Sequence, residues 1–244
     1  MKTKGFMRQD KRKNNELREI KVTPDFVQCA EGSVLIEIGR TRVLCNATIE
    51  DNIPGWLKGQ GQGWITAEYN LLPRSTDTRV QRERKSVSGR TQEIQRLIGR
   101  SLRAVADLKA LGERSIVVDC DVIEADGGTR TASVVGGFIA LGMALNKLKT
   151  AGELPSQVLR HYVTAVSVGI LEGVPILDLC YSEDSAAQVD MNVVFADAQN
   201  LIEIQGTGEK ATFSRAELNQ LLDLAEIGCL QLLEVQKGLV GELP

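Results

Sequence analysis

Residues 131–149, TASVVGGFIALGMALNKLK, carry apolar side chains on nearly every side of a helix. Such a helix has no face to offer water, so the rest of the chain has to supply packing layers around it. The longest apolar run, 134–145, is broken by Gly136, Gly137 and Gly142. It falls well short of the ~20 residues that span a bilayer. The basic, polar start MKTKGFMRQDKRKNNELREIK has no apolar stretch of the secretory kind. The expectation is a soluble, cytoplasmic protein with no membrane partner.

The layers are legible on either side of that helix. In residues 33–49, Val34, Ile36 and Ile38 alternate with Leu35 and Glu37, the chain turns at Gly39 and returns through Val43 to Cys45, which predicts a hairpin. Residues 163–181 repeat the design with Glu172-Gly173 at the turn. Strands are predicted at 115–123, 191–195 and 201–205. Ile94, Leu97, Ile98, Leu102, Val105 and Leu108 recur at helical spacing, predicting a helix over 91–111 stopped by Gly112. Ser214 and Glu217 form a capping box for a last helix over 214–237. The order reads as two related ββαβα-like halves, roughly 15–125 and 126–240, inside one domain spanning 1–244. The fold class is α/β (α+β), with mixed sheets covered by helices.

Composition removes several chemistries. His161 is the sole histidine, so a histidine-rich metal site is excluded and a Ser/His/Asp triad would rest on that residue alone. The five cysteines include no C-x-x-C pair, and Cys45, Cys120 and Cys180 sit in apolar, strand-like runs. They read as buried free thiols in a reducing compartment.

Net charge is only −3, but it is unevenly spread. Residues 74–103 hold Arg74, Arg79, Arg82, Arg84, Lys85, Arg90, Arg96, Arg100 and Arg103 against three acids. Arginine's planar fork suits phosphate, although such a helix face is most often a solvated surface. Arg96, Arg100 and Arg103 are spaced to share the face opposite the apolar stripe. Residues 172–203 invert the pattern, with seven acids and no Lys or Arg. That tract either faces a basic neighbour or holds a divalent cation. Asp184 and Asp190, joined by small residues between two strand-like runs, are the pair placed to share Mg²⁺.

The segment 125–131, ADGGTRT, joins a strand to the apolar helix. Paired glycines permit close backbone approach, and a helix start offers free N–H groups to an anion. An ordinary glycine turn is the competing reading. The spacing matches neither a Walker loop nor a dinucleotide fingerprint. Ser88-Gly89-Arg90-Thr91 repeats the device at the arginine-bearing helix.

Six segments then carry a resemblance: AEGSVLIEIG (30–39), KGQGQGWITAEY (58–69), LPRSTDTR (72–79), GRTQEIQRLIGRSLRA (89–104), DCDVIEADGGTRTAS (119–133) and SEDSAAQVDMNVV (182–194). In this order they resemble the ribonuclease PH family of phosphorolytic exoribonucleases, related to polynucleotide phosphorylase and the exosome core. The resemblance implies a duplicated fold like that of ribosomal protein S5, assembled as a homohexamer, a trimer of dimers. It implies 3′-to-5′ trimming of tRNA precursors at a single-stranded 3′ end, with inorganic phosphate as co-substrate and nucleoside 5′-diphosphates as products. By position, Arg90 and Gly128-Thr129-Arg130 match the phosphate site. Asp184 and Asp190 match the carboxylates tied to catalysis and to Mg²⁺ or Mn²⁺. Arg74, Arg79 and Arg82 match a region of RNA contact and assembly, and Arg96 and Arg100 extend that basic surface.

Asp184 has two readings, metal ligand or general acid to the leaving 3′-oxygen. Two other classes compete with an active phosphorylase: a silent RNA-binding ring subunit and a metal-dependent hydrolase. The family commonly reads R-x-D-G-R-x-x-x-x-L-R-P-V near its start. Here Lys11 replaces the glycine and Glu19 the proline, in a stretch expected to lie outside the site.

Overall fold

The computed structural model describes residues 8–83, 86–154 and 157–244. Arg84 and Lys85 of the basic tract, and residues 1–7 of the polar start, lie outside the described residues. The first sheet contains β1 (Ile20–Pro24), β2 (Gly32–Ile38), β3 (Thr41–Glu50), β4 (Trp64–Leu71) and β5 (Ser115–Glu124), in the order β1-β2-β3-β5-β4. Only β4 runs parallel to its neighbour, β5. The second sheet contains β6 (Val163–Leu171), β7 (Val174–Leu177), β8 (Val189–Ala196) and β9 (Asn200–Thr207), in the order β7-β6-β8-β9. It is antiparallel throughout, so of the two expected mixed sheets only the first is mixed.

The helices are α1 (Gly89–Ala104), α2 (Leu108–Leu111), α3 (Thr129–Thr150), α4 (Tyr181–Asp184) and α5 (Arg215–Val240). Helix α3 is the apolar helix, and it packs on β2, β3 and β5 of one sheet and on β6 of the other. Its length and composition would suit a membrane span, but 83% of its most apolar window is buried inside the protein. The close approach of β2 and β3 to α3 requires Gly136, where a Cβ would stand 2.7 Å from the Ile36 side chain.

Period-two burial explains the first sheet. Ile116, Val118, Cys120 and Val122 of β5 are buried, while Asp119 and Asp121 between them point away from that face. Every residue of β6 is buried, so this strand is covered on both sides. Helix α5 covers one of them: a Cβ on Gly228 would lie 3.1 Å from Val166. Ser167 therefore projects from the opposite side.

The expected helix over 91–111 is two helices. Ala106 bridges to Leu159, and the Asp107 carboxylate accepts the N–H groups of Lys109 and Ala110 to start α2 afresh. Tertiary pairing overrides continuous helical periodicity there. The second hairpin ends at Leu177, not 181, and residues 181–184 form α4. Cys180 is thus the half-buried residue before a helix turn, not a strand residue. His161 is half exposed and pairs with Asp197 at 2.6 Å.

Lys11 has φ +65°, the left-handed conformation that glycine adopts freely. The Lys11→Gly variant should be more stable by about 0.5–1 kcal/mol, a rise in melting temperature of roughly 1–4 °C. A lower melting temperature would contradict this.

Candidate active site

The turn that enters α3 carries Gly127 at φ +76° and Gly128 at φ +66°. A Cβ on Gly127 would lie 2.4 Å from the Leu179 carbonyl, so only glycine fits. Thr41 fastens the turn: its hydroxyl donates to the Gly127 carbonyl at 2.6 Å and accepts the Asp126 N–H at 3.0 Å. Among the described residues no side chain caps α3, which leaves the N–H groups of its first turn open. The Thr131 and Ser133 hydroxyls are turned back onto the carbonyls of Gly128 and Thr129. Buried Tyr69 of β4 bonds the Thr129 hydroxyl at 2.8 Å, and burial pushes its phenol up.

Helix α1 starts differently. Ser88 caps it, and the Glu83 carboxylate accepts from the Ser88 N–H and the Thr91 hydroxyl. Ser88 takes the Thr91 N–H and a carboxylate of the chain itself stands beside the cap, so this helix start, unlike that of α3, is capped and flanked by negative charge. Arg90 nevertheless reaches the same place as the α3 turn by another route, as a side chain on the first turn of α1.

Asp184 ends α4 and Asp190 is the second residue of β8. Burial is the largest influence on both and raises both carboxyls. The charge of Asp184 beside it adds to the burial of Asp190 and pushes it up to about 6. Arg130 pulls both back toward the charged form, and Arg90 does so for Asp184. Among the described residues no cluster of three or more His, Cys, Asp or Glu forms a metal cage.

Arg90, Gly128, Thr129, Arg130, Asp184 and Asp190 all line one cavity of about 530 Å³. It lies between the start of α3 and the side of the second sheet that α5 does not cover. The Arg130 guanidinium bonds Gln205 of β9 at 3.3 Å and lies 3.6 Å from Glu93. Tyr181, Ser167 and Asn192 also line the cavity and were not foreseen. Tyr181 is a large exposed aromatic shared with a neighbouring cleft of about 780 Å³.

The other basic residues lie elsewhere. Arg74 lines the neighbouring cleft, Arg79 and Arg82 are exposed on the loop before α1, and Arg96 and Arg100 are exposed on α1. Arg100 pairs with Glu203 at 2.6 Å. Arg103 leaves the expected solvent face: it stacks on Trp64 at 4.3 Å and donates to the Ile65 carbonyl.

The N-terminal arm belongs to the site's scaffold, which corrects the expectation that it stands apart. Arg8 makes a two-pronged pair with Glu183, both bonds 2.7 Å. Arg18 holds Asp178 at 2.7 Å and also donates to the carbonyls of Asp126 and Gly127. Arg12 reaches both carboxylates. One cluster thus ties α4, which carries Asp184, to the turn that opens α3. The acidic tract does face a basic neighbour, and that neighbour is its own chain. Glu19, where the family has proline, accepts the Gly39 N–H at its carbonyl.

Comparison with known proteins agrees with this arrangement. The profile of the 3′ exoribonuclease family, domain 1, matches residues 16–145, and domain 2 of the same family matches residues 161–228. Ribonuclease PH of Bdellovibrio bacteriovorus is 54% identical over 237 residues, covering 97% of this chain and 98% of that protein. The chain belongs to the 3′ exoribonuclease family. Within this family it is a ribonuclease PH-type enzyme, a phosphorolytic 3′-to-5′ exoribonuclease of tRNA processing. The silent-subunit and hydrolase readings fall away. Two solved structures share the fold. Rice (Oryza sativa) Rrp46 aligns with a TM-score of 0.78 and 18% identity, covering 96% of this chain and all of that one. A chain of the Archaeoglobus fulgidus exosome with RNA bound to the active site has a TM-score of 0.78 and 21% identity, over 94% of this chain and 92% of that one.

Proposed function

We propose that the 530 Å³ cavity is the phosphorolytic centre. The carrying observation is convergence: two arginines, an uncapped helix start and two half-buried carboxylates from four separate elements line one space. Arg90, Arg130 and the open N–H groups around Gly128 and Thr129 hold inorganic phosphate. An oxygen of that phosphate attacks phosphorus at the 3′-terminal phosphodiester. The bond from phosphorus to the 3′-oxygen breaks, and that oxygen takes up a proton. A nucleoside 5′-diphosphate leaves, and the RNA is one nucleotide shorter. The reverse reaction adds a nucleotide. The side chains supply orientation and neutralise charge, and none forms a covalent intermediate.

Asp184 and Asp190 suit Mg²⁺ or Mn²⁺. Two hard oxygen donors leave positions for water and substrate phosphate oxygens, as Mg²⁺ prefers. A cation there would also relieve the crowding that raises Asp190. When bound, the metal neutralises charge on the scissile phosphate. The raised carboxyl of Asp184 supports the second reading, in which it protonates the leaving 3′-oxygen.

The RNA is a tRNA precursor entering by its single-stranded 3′ end, past Tyr181 and the exposed Arg74, Arg79 and Arg82, with Arg96 and Arg100 further along the basic surface. Edge strand β9 exposes Leu201 and Ile204, which supports burial between subunits of a homohexamer, a trimer of dimers. The setting is the cytoplasm.

The test is product analysis with a short 3′-extended RNA and Mg²⁺. The wild-type enzyme should release nucleoside diphosphates only when phosphate is present. Asp190→Asn should release none at any Mg²⁺ concentration and should melt no lower than wild type. Monophosphates formed without phosphate would overturn the centre, and unchanged activity in Asp190→Asn would remove the metal assignment.

A further inference from the structure

We infer that Asn192, supported by Ser167, is a further phosphate-contacting residue, binding inorganic phosphate from the sheet side of the cavity. This rests on the reading that Arg130 and the α3 start hold that phosphate. Asn192 lies on β8, among the buried apolar residues Met191, Val193, Val194 and Phe195. It is 6% exposed and lines the cavity, and its carboxamide has no hydrogen-bond partner among the described residues. The carboxamide opens onto the cavity, so its N–H donors are available to a ligand held there.

The strand register says which ligand. Asn192 stands directly opposite Ser167 of β6 on one side and Gln205 of β9 on the other. The three make one polar row across the second sheet, under the start of α3. At one end Gln205 bonds the Arg130 guanidinium at 3.3 Å. At the other, Ser167 accepts the Leu179 N–H at 3.1 Å, which leaves its hydroxyl proton free to donate into the cavity. The neighbouring Asp178 carboxylate lies close to Gly128. The row therefore runs from one arm of the anion site to the other, with Asn192 at its centre.

Asp190, two residues earlier on β8, shares the same side in the next row of the sheet. A carboxylate thus occupies that row, and a neutral amide occupies the row that ends on Gln205, the partner of Arg130. An amide N–H donates to phosphate without adding charge, whereas a carboxylate there would repel it. The attacking phosphate is gripped from two sides: by Arg90, Arg130 and backbone N–H groups above, and by Asn192 and Ser167 below.

The experiment measures initial rates against phosphate concentration at saturating RNA for wild type, Asn192→Ala, Asn192→Asp and Arg130→Ala. RNA affinity without phosphate and melting temperature are measured alongside. Asn192→Ala should raise KM for phosphate roughly tenfold, the loss of one hydrogen bond to a charged group, with RNA affinity unchanged. Asn192→Asp keeps the shape and should raise it further. If the alanine variant melts markedly lower, the aspartate variant decides. A wild-type KM for phosphate in Asn192→Asp, with Arg130→Ala impaired, would overturn the role of Asn192 alone. Wild-type phosphate dependence in Arg130→Ala as well would overturn the phosphate site itself, and Asn192 with it. A change confined to RNA affinity would place Asn192 on the RNA and also overturn the inference.

Discussion

Replacing Arg130 with alanine should lower phosphorolysis roughly a thousandfold or more and leave RNA binding intact. Arginines that offset charge in phosphoryl transfer contribute on that scale. The position makes the experiment readable. Arg130 is half-buried, and its protein partners are one bond to Gln205 and a 3.6 Å approach to Glu93, both of which solvent can replace. Its removal strands no buried hydrogen-bond partner, and the Asp184 and Asp190 carboxyls that it pulls toward the charged form can respond by rising further, so the stability change should be small. The whole loss should then appear in the dependence of rate on phosphate. Arg130→Lys separates charge from shape. Lysine keeps the charge and loses the two-pronged fork, so it should fall between alanine and wild type. The measurements are initial rates across phosphate concentration with a 3′-extended RNA, and RNA affinity by fluorescence anisotropy without phosphate. The reverse reaction should fall in parallel, because the β-phosphate of the incoming diphosphate occupies the same place. Wild-type turnover in the alanine variant would remove Arg130 from the phosphate site.

The parts of this site that were legible in the sequence are those whose chemistry is local. Gly127 to Arg130 form one turn between a strand and a helix, and a glycine pair before a helix start is informative on its own. Asp184 and Asp190 lie within one segment with a family resemblance. What escaped depends on chain meeting chain. Asn192 gains significance only from the register that sets Ser167 and Gln205 beside it, and a one-residue slip would turn it to the other face. The break after α1 has no local cause in Val105, and it follows from the bridge between Ala106 and Leu159. Arg103 was read from helical spacing as solvated, but β4 packs where water was expected, and Trp64 takes up its guanidinium. The N-terminal arm is the extreme case: Arg8 and its partner Glu183 stand 175 residues apart. No window along the chain contains both.

That arm sets up the other large effect. Asp178→Asn should destabilise the protein by about 3–5 kcal/mol at pH 7, because it leaves buried arginine charge unopposed. Asp178 is 5% exposed and takes bonds from the Arg18 side chain at 2.7 and 3.0 Å and from the Arg18 N–H at 2.8 Å. Burial alone would raise its carboxyl, but the charge and hydrogen bonds of Arg18, with Arg12 behind them, more than offset that and hold it below the usual value. A carboxyl depressed on folding stabilises the protein at pH above its unfolded value, 3.8, and that stability drains away as pH falls through the folded value. The gap between wild type and Asp178→Asn should therefore be full at neutral pH and shrink in acid below about pH 4. Urea unfolding at fixed protein concentration across that range measures it. A gap under about 1 kcal/mol at pH 7 would mean the cluster is held by packing and not by the ion pairs. Since total stabilities run to roughly 5–15 kcal/mol, the expected gap is a large share. It should reach the chemistry too. Arg18 also holds the Asp126 and Gly127 carbonyls, so loosening it frees the turn that opens α3 and, through Tyr181 bonded to Asp126, the helix bearing Asp184. Folded Asp178→Asn enzyme should accordingly show weaker phosphate binding although residue 178 does not line the cavity.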